Sequence, residues 1–210
     1  MRILITAGPT REYFDTVRFI SNPSTGKMGY AIAESAARRG HGVVLVSGPV
    51  ALPDPIHVDV LHVQSAEQMC TAATNAFERC DAAIMTAAVC DYRPTRRLDH
   101  KLKKKNRLRP IQLQPTTDIC ARLGRIKGDR VVIGFAMEDH QEHAHAEAKL
   151  RRKRCDAIVL NGLENVGADT ATIEILRENG GWSPPIRCSK SKIAERIIQL
   201  AEKMSGSPTT

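Results

Sequence analysis

The sequence has no stretch of about 18 consecutive apolar residues, so it contains no candidate membrane-spanning helix. Its N-terminus, Met1-Arg2-Ile3-Leu4-Ile5-Thr6-Ala7-Gly8, is apolar over too short a stretch for a signal peptide and reads as a first strand. The six cysteines (70, 80, 90, 120, 155, 188) form no C-x-x-C pair. With no export signal, they read as the reduced thiols of a cytoplasmic protein. The common nucleotide motifs are missing too. Ser21 and Met28 stand where a Walker A loop needs glycine and a hydroxyl, and only Gly26 and Gly29 of a G-x-G-x-x-G pattern are present. None of Tyr13, Tyr30 and Tyr92 is followed four residues later by the lysine of a short-chain reductase dyad. The tract His140, His143, His145 has a metal-like look, but on a helix His145 points away from the other two, and no metal ligands are assigned. No aromatic residue lies between 96 and 109 to stack on a base.

What is present fits a folded enzyme-sized unit. A chain of 210 residues with 42% apolar and 26% charged residues builds one domain, at most two, and needs no disulfide or metal staple. We expect a single domain over 1–204 and a disordered tail over 205–210. The net charge of +8 is local. Nine Lys/Arg residues against the single acid Asp99 fall between Arg93 and Arg109, leaving the rest close to neutral. Charge gathered in one segment points to an anionic ligand at one place.

Buried-strand patterns at Arg2–Thr6, Val43–Val46, Val58–Val63, Ala82–Val89, Val131–Phe135 and Ala157–Asn161 alternate with helical patterns over 25–39, from Ser65 to Phe77, and from Glu138 to Arg154. Thr172–Leu176 with the turn Asn179-Gly180-Gly181 predicts a hairpin, and Ser189–Lys203 a last amphipathic helix. Residues 92–110 carry neither periodicity and read as an excursion, with a short strand over Pro110–Leu113 on its far side. The alternation predicts an α/β fold with a doubly wound, mostly parallel, Rossmann-like sheet. Ligands bind such sheets at the carboxyl ends of the strands. The loops after Thr6, Ser47, Ala88 and Phe135 are therefore the expected site walls.

Four constellations can carry chemistry, and each has a plain structural reading beside the functional one. Ser21-Asn22-Pro23-Ser24-Thr25-Gly26-Lys27-Met28-Gly29 opens a helix with hydroxyls, glycines and a lysine. It is either an anion site at a helix N-terminus or a well-capped helix. Lys101-Leu102-Lys103-Lys104-Lys105 suits phosphates, but also suits a solvated face or a nucleic-acid patch. Asp91, at the end of an apolar strand, can hold a sugar hydroxyl or a metal, or merely cap a loop. Lys149 and Lys153 share one helical face, which alone is a solvent face. On these residues, a reductase using NAD(P) on the same fold and a basic nucleic-acid-binding module remain rivals to other readings.

Taken in order, six segments resemble one family. They are Ile5–Glu12 (ITAGPTRE), Val17–Asn22 (VRFISN), Ser24–Gly29 (STGKMG), Ala87–Pro94 (AAVCDYRP), Lys101–Lys104 (KLKK) and Gly134–Glu138 (GFAME). The family is phosphopantothenoylcysteine synthetase, also called phosphopantothenate–cysteine ligase, and the resemblance spans about residues 2–200. It implies a step of coenzyme A biosynthesis. The carboxylate of 4′-phosphopantothenate attacks the α-phosphate of a nucleoside triphosphate, CTP in most bacterial members, with ATP as the alternative, and with Mg²⁺. The cysteine amine then displaces the nucleoside monophosphate. Many bacterial members join this unit to a flavin-dependent decarboxylase. The resemblance here is to the synthetase unit without that half, so it implies no flavin, with a separate decarboxylase as an expected partner. It further implies small-molecule substrates, no nucleic acid and no membrane. It implies a homodimer in which part of 92–115 reaches the neighbour's site.

Residue roles follow from the same resemblance. Met85, Thr86 and Ala87 are similar to the backbone wall for the base, Asp91 to the ribose or base contact, and Lys101 to the lysine that meets the phosphates. Thr116, Thr117, Asp118 and Ile119 occupy the next nucleotide loop. Phe135 matches a ring packed on the nucleotide, and Lys149 and Lys153 match two further nucleotide lysines. Asn22 is similar to the asparagine that handles the acyl-nucleotide, with Lys101 beside it in catalysis. Gly8, Ser24, Thr25, Gly26 and Lys27 fall on phosphate or substrate positions. Three positions depart from the pattern: Thr116-Thr117 replaces Asn-Pro, and Thr25 replaces serine. Cys90 stands where a small residue is common.

Overall fold

A computed structural model describes residues 1–104, 106, 110–162, 165 and 167–206. Lys105, Arg107 and Arg109 of the basic run and residues 207–210 of the expected tail lie outside the described residues.

Six parallel strands make the centre. They are β1 (Arg2–Ala7), β4 (Gly42–Ser47), β5 (Asp59–His62), β6 (Ala82–Met85), β9 (Val131–Met137) and β10 (Ala157–Asn161). Their order across the sheet is β5-β4-β1-β6-β9-β10, so the winding reverses between β1 and β6. Beyond β10 lies the antiparallel strand β11 (Thr170–Arg177), which pairs with both β12 (Gly181–Trp182) and β13 (Ile186–Ser189). The predicted hairpin is thus the outer edge of the same sheet.

Alternation along β1 shows how the two layers arise. Ile3 and Ile5 face one side, where α1 (Lys27–Arg38) and α5 (Lys190–Met204) pack through Ile32, Ala36, Ile193 and Ile197. Leu4 faces the other, against α2 (Ala66–Phe77), α3 (Ile119–Ile126) and α4 (Glu142–Lys153) through Met69, Phe77, Leu123 and Leu150. This two-sided burial is why the central strands read as unbroken apolar runs. Ser65 caps α2 in a reciprocal capping box with Gln68, as its position predicts. Ser189 and Ser205 flank α5. No helix among the described residues is long and apolar enough to cross a membrane.

Several expectations change. The strand expected over Ala82–Val89 stops at Met85, because its partner chain turns at Gly8 (φ +75°); only a single bridge, Pro9 to Ala88, continues the pairing. The excursion has order at its root: β7 (Tyr92–Pro94) pairs with β8 (Leu113–Pro115), not a strand over 110–113. A second ribbon, β2 (Arg11–Tyr13) with β3 (Phe19–Ser21), was not foreseen, and α3 falls where only a loop was expected. The polar helix starts at Glu142 instead of Glu138, since Gln141 adopts a left-handed conformation (φ 45°). His140 therefore precedes the helix and stacks edge-on against His145 at 5.0 Å, the reverse of the expected separation.

Candidate active site

A cavity of about 520 Å³ opens at the carboxyl edge of the sheet, where the strand order reverses. Its floor follows from two close approaches. Gly29 sits in the first turn of α1, and a Cβ there would lie 2.5 Å from the Ala7 Cβ and 2.6 Å from Thr86 Oγ1. Only glycine lets the helix start so near the ends of β1 and β6. Gly26, at φ +76°, begins α1 with no side-chain cap, so its first-turn N–H groups have no side chain to bond.

The near wall is the segment before α1. Asn22, Ser24, Thr25, Gly26 and Lys27 all line the cavity. Asn22 Nδ2 donates to the Ala88 carbonyl at 3.0 Å, which fixes the amide and leaves its oxygen as a free acceptor position. Met85, Thr86 and Ala87 form the floor, and Thr86 Oγ1 donates to the Thr6 carbonyl at 2.6 Å. Gly8 lies behind Gly26, off the wall.

The far wall comes largely from the opposite helical layer and the loops leading to it. Asp91, Thr116, Thr117, Asp118, Ile119, Lys149 and Lys153 all reach the cavity, and Phe135 joins them from β9, on the sheet face that packs on α1 and α5. Thr116 Oγ1 donates to the Cys90 carbonyl at 2.6 Å and its N–H to the Asp91 carbonyl at 2.9 Å, so the threonine holds the loop by backbone bonds. Asp118 caps α3 through the Ala121 N–H at 3.0 Å and pairs with Lys153 Nζ at 3.2 Å. Lys149 Nζ stands 2.5 Å from Glu138 Oε1, a contact of charge without hydrogen-bond alignment. Cys90 is buried. Its N–H donates to Thr10 Oγ1 at 3.0 Å, and burial pushes its thiol up, which makes it a structural plug between the β2–β3 ribbon and the 88–91 loop.

Lys101 is not on the cavity wall; it lies in the exposed segment after β7, which Asp15 anchors through the Leu102 N–H at 3.0 Å. The loop after Ser47 does not line the cavity either. Gly48 packs instead on Pro9, where a Cβ would lie 1.8 Å from the Pro9 carbonyl oxygen. Five lining residues went unread in the sequence: Cys120, Asn161, Asn165, Gly167 and Lys190. Asn161 ends β10, so the carboxyl-edge rule that named the other loops also covers it. Lys190 had no signal beyond its place after a capping serine.

Lys27 Nζ donates to Asp169 Oδ1 at 2.7 Å, and this pairing holds the Asp169 carboxyl below its usual range. Lys190 is held below the ordinary lysine value by burial first and by the Lys27 charge second. Among the described residues, no three His, Cys, Asp or Glu side chains gather as a metal cage.

Residues 1–204 match the family model described as the DNA/pantothenate metabolism flavoprotein C-terminal domain. The chain belongs to this family of phosphopantothenoylcysteine synthetase domains. It is 40% identical over 208 residues to the coenzyme A biosynthesis bifunctional protein CoaBC of Bacillus subtilis (strain 168), covering 97% of this chain and 51% of that protein. It is 42% identical over 204 residues to a cysteine/cysteine sulfinic acid decarboxylase of an unknown prokaryotic organism, covering 94% of this chain and 57% of that protein. The chain thus spans about half the length of the curated relatives it matches. Among solved structures, the C-terminal domain of CoaBC superposes with a TM-score of 0.82 at 40% identity, covering 97% of this chain and 94% of that one. A Cab2 H337A mutant in complex with phosphopantothenate-cysteine superposes at 0.82 with 17% identity, covering 98% and 87%, a likeness of fold. The α/β fold with its mostly parallel sheet is that of these synthetase domains.

Proposed function

We propose that this synthetase domain joins 4′-phosphopantothenate to L-cysteine through an acyl-nucleotide, using CTP or, less favourably, ATP. The carrying observation is the cavity at the switch point, lined by lysines from both helical layers beside an apolar floor and Asn22. A carboxylate cannot expel oxide. Attack of its oxygen on the α-phosphorus expels pyrophosphate and leaves a mixed anhydride. The cysteine nitrogen then attacks the acyl carbon, the nucleoside monophosphate departs with the anhydride electrons, and the amine loses a proton. Both steps gather phosphate charge, and fixed ammonium groups and helix N–H donors stabilise it without reorganisation.

In this reading Phe135 and the 85–87 backbone receive the base, and Asp91 contacts the ribose or the base. Thr116, Thr117, Asp118, Ile119, Lys149 and Lys153 hold the nucleotide, and Asn22 orients the acyl group. Mg²⁺ suits the residues present: it binds phosphates with one or two carboxylates, and Asp91 and Asp118 are the carboxylates on the wall. It would neutralise phosphate charge during bond exchange.

Lys101 fits this scheme as a residue supplied between subunits. Tyr92 and Leu113 on one ribbon and Phe19 on the other are exposed apolar side chains, which supports a homodimer built on these ribbons. Light scattering on the purified chain tests the dimer. The ligase reading is tested by pyrophosphate release with phosphopantothenate, Mg²⁺ and CTP or ATP, with and without cysteine. Release that needs phosphopantothenate but not cysteine supports the acyl-nucleotide. Release with neither nucleotide overturns the reading.

A further inference from the structure

Lys27 opens α1 and Lys190 opens α5, two helices of the same layer. Both ammonium groups converge on one turn of chain at the cavity's end. Lys27 Nζ donates to Asp169 Oδ1 at 2.7 Å and to the Gly167 carbonyl at 3.2 Å. Lys190 Nζ donates to the Asn165 carbonyl at 3.1 Å. Lys27, Lys190, Asn165 and Gly167 all line the cavity, whereas Asp169 does not, and its side chain is 89% exposed.

The charge balance separates this cluster from the lysines opposite. Lys149 and Lys153 each have a carboxylate of their own, Glu138 and Asp118. Lys27 and Lys190 share one, and that one stands in solvent. An exposed ion pair of this kind contributes little and exchanges readily for a better anion. Lys190 carries the imbalance: burial and the Lys27 charge both oppose its protonated form, and an anion would relieve both.

The cluster is also held in place. The buried Asn165 amide donates to Asn161 Oδ1 at 2.7 Å and to the Thr172 carbonyl at 2.8 Å, and accepts the Thr172 N–H at 3.1 Å. These bonds tie the turn to β10 and β11, so the carbonyl that Lys190 touches is fixed in advance. The uncapped start of α1 adds N–H donors on the same side.

We propose that Lys190 and Lys27 form a phosphate clamp, with Asp169 as the counter-anion that the incoming phosphate displaces. The clamp rests on the ligase reading for its natural ligand. That ligand is a phosphoryl end group, either the polyphosphate tail of the nucleotide or the phosphomonoester of phosphopantothenate.

Calorimetric titration of the wild type, Lys190→Gln and Asp169→Asn distinguishes these sources, with CTP, CMP, inorganic pyrophosphate and phosphopantothenate as ligands. Loss of a charged hydrogen bond should weaken the clamped ligand roughly tenfold or more in Lys190→Gln. The ligand clamped elsewhere should change less than about twofold, and Asp169→Asn should bind the clamped ligand more tightly. If CTP and pyrophosphate weaken while CMP does not, the clamp holds the tail. If phosphopantothenate weakens alone, it holds the monoester. Circular dichroism and melting temperature confirm that the variants fold. A folded Lys190→Gln that binds every ligand like the wild type overturns the clamp, as does a wild type that binds no phosphoryl compound. If pyrophosphate binds through Lys190 yet no nucleotide-dependent chemistry occurs, the clamp stands and the ligase reading falls.

Discussion

Asp15 Oδ2 accepts the backbone N–H of Leu102 at 3.0 Å, across 87 positions of sequence. Its other oxygen accepts the Val17 and Arg18 N–H groups at 2.7 and 2.8 Å, and the Arg18 guanidinium returns to the Leu102 carbonyl at 2.6 Å. A buried carboxylate thus pins the segment that carries Lys101. Burial works to raise the Asp15 pKa, but the N–H groups of Leu102, Val17 and Arg18 outweigh it and hold it at about 2. The native value lies below the unfolded one, so this anchoring is complete above roughly pH 4 and is lost as the pH falls towards the native value. Asp15→Ala should abolish hydrogen-exchange protection of the Leu102 amide at neutral pH while the central strands stay protected. Equal Leu102 exchange in variant and wild type would remove Asp15 from this role.

At the opposite end of α1, Glu202 accepts Arg39 at 2.9 and 2.8 Å and contacts His41 Nε2 at 2.8 Å, while only 1% exposed. The Arg39 hydrogen bonds, working against burial and helped by His41, hold the Glu202 carboxyl below its usual range. Breaking a buried pair strands its partners, so Glu202→Gln should lose about 3 kcal/mol at pH 7. The sign follows from the lowered pKa: the contribution is present above the unfolded carboxylate pKa and fades as pH falls through the native one. Urea denaturation of both proteins should therefore show a gap that narrows between neutral and acid pH. A pH-independent gap would point to packing alone.

Much of this arrangement was legible because the physics involved is local. The buried runs at Ile3–Ile5, Val43–Val46 and Val131–Ile133 announce strands covered on both faces, and Gly8 and Gly26 mark turns that only glycine makes easily. Helix α3 was legible but unread: Asp118 followed by Ile119, Leu123 and Ile126 is a capped helical stripe. Other features depend on contacts that no window of sequence contains. Asp15 meets Leu102, Lys27 meets Asp169 and Lys190 meets Asn165 only after the sheet has brought distant segments together. Cys90 belongs here as well, since its partners Thr10 and Ile20 lie far from it in sequence.

Gly29 gives a test of how tightly the cavity floor is built. A methyl group there would meet the Ala7 Cβ at 2.5 Å and Thr86 Oγ1 at 2.6 Å. The Ala7 methyl moves only with β1, so α1 must lift, and Thr86 risks its bond to the Thr6 carbonyl. Overpacking of this kind costs about 1–3 kcal/mol, and each kcal/mol lowers the melting temperature by roughly 2–4 °C at this chain length. Gly42→Ala is the control, because its Cβ would touch only the flexible Arg2 side chain at 3.6 Å or beyond. Gly29→Ala should melt lower and bind nucleotide more weakly; Gly42→Ala should do neither. Equal melting temperatures would show that the floor yields more easily than its contacts imply.

Cys120 offers a chemical probe of the far wall. It lines the cavity, and its Sγ lies 3.4 Å from the Sγ of Cys155, which is buried behind it. The Cys155 S–H bond holds the Cys120 thiol below its usual value against the effect of burial, with Lys153 adding its charge. The same bond and then burial push Cys155 far up, so Cys155 stays protonated and inert. Thiolate, not thiol, is the nucleophile. Iodoacetamide near neutral pH should therefore modify Cys120 before the partly exposed Cys188, and added nucleotide should slow the reaction at Cys120 alone. Replacing Cys155 by alanine removes the S–H donor and should slow labelling of Cys120 several-fold, whereas Cys155→Ser, which keeps a donor, should restore part of the rate. Peptide mass spectrometry reads each site separately. Labelling of Cys188 first, or a Cys120 rate untouched by Cys155→Ala, would show that the sulfur pair does not set the reactivity of this wall.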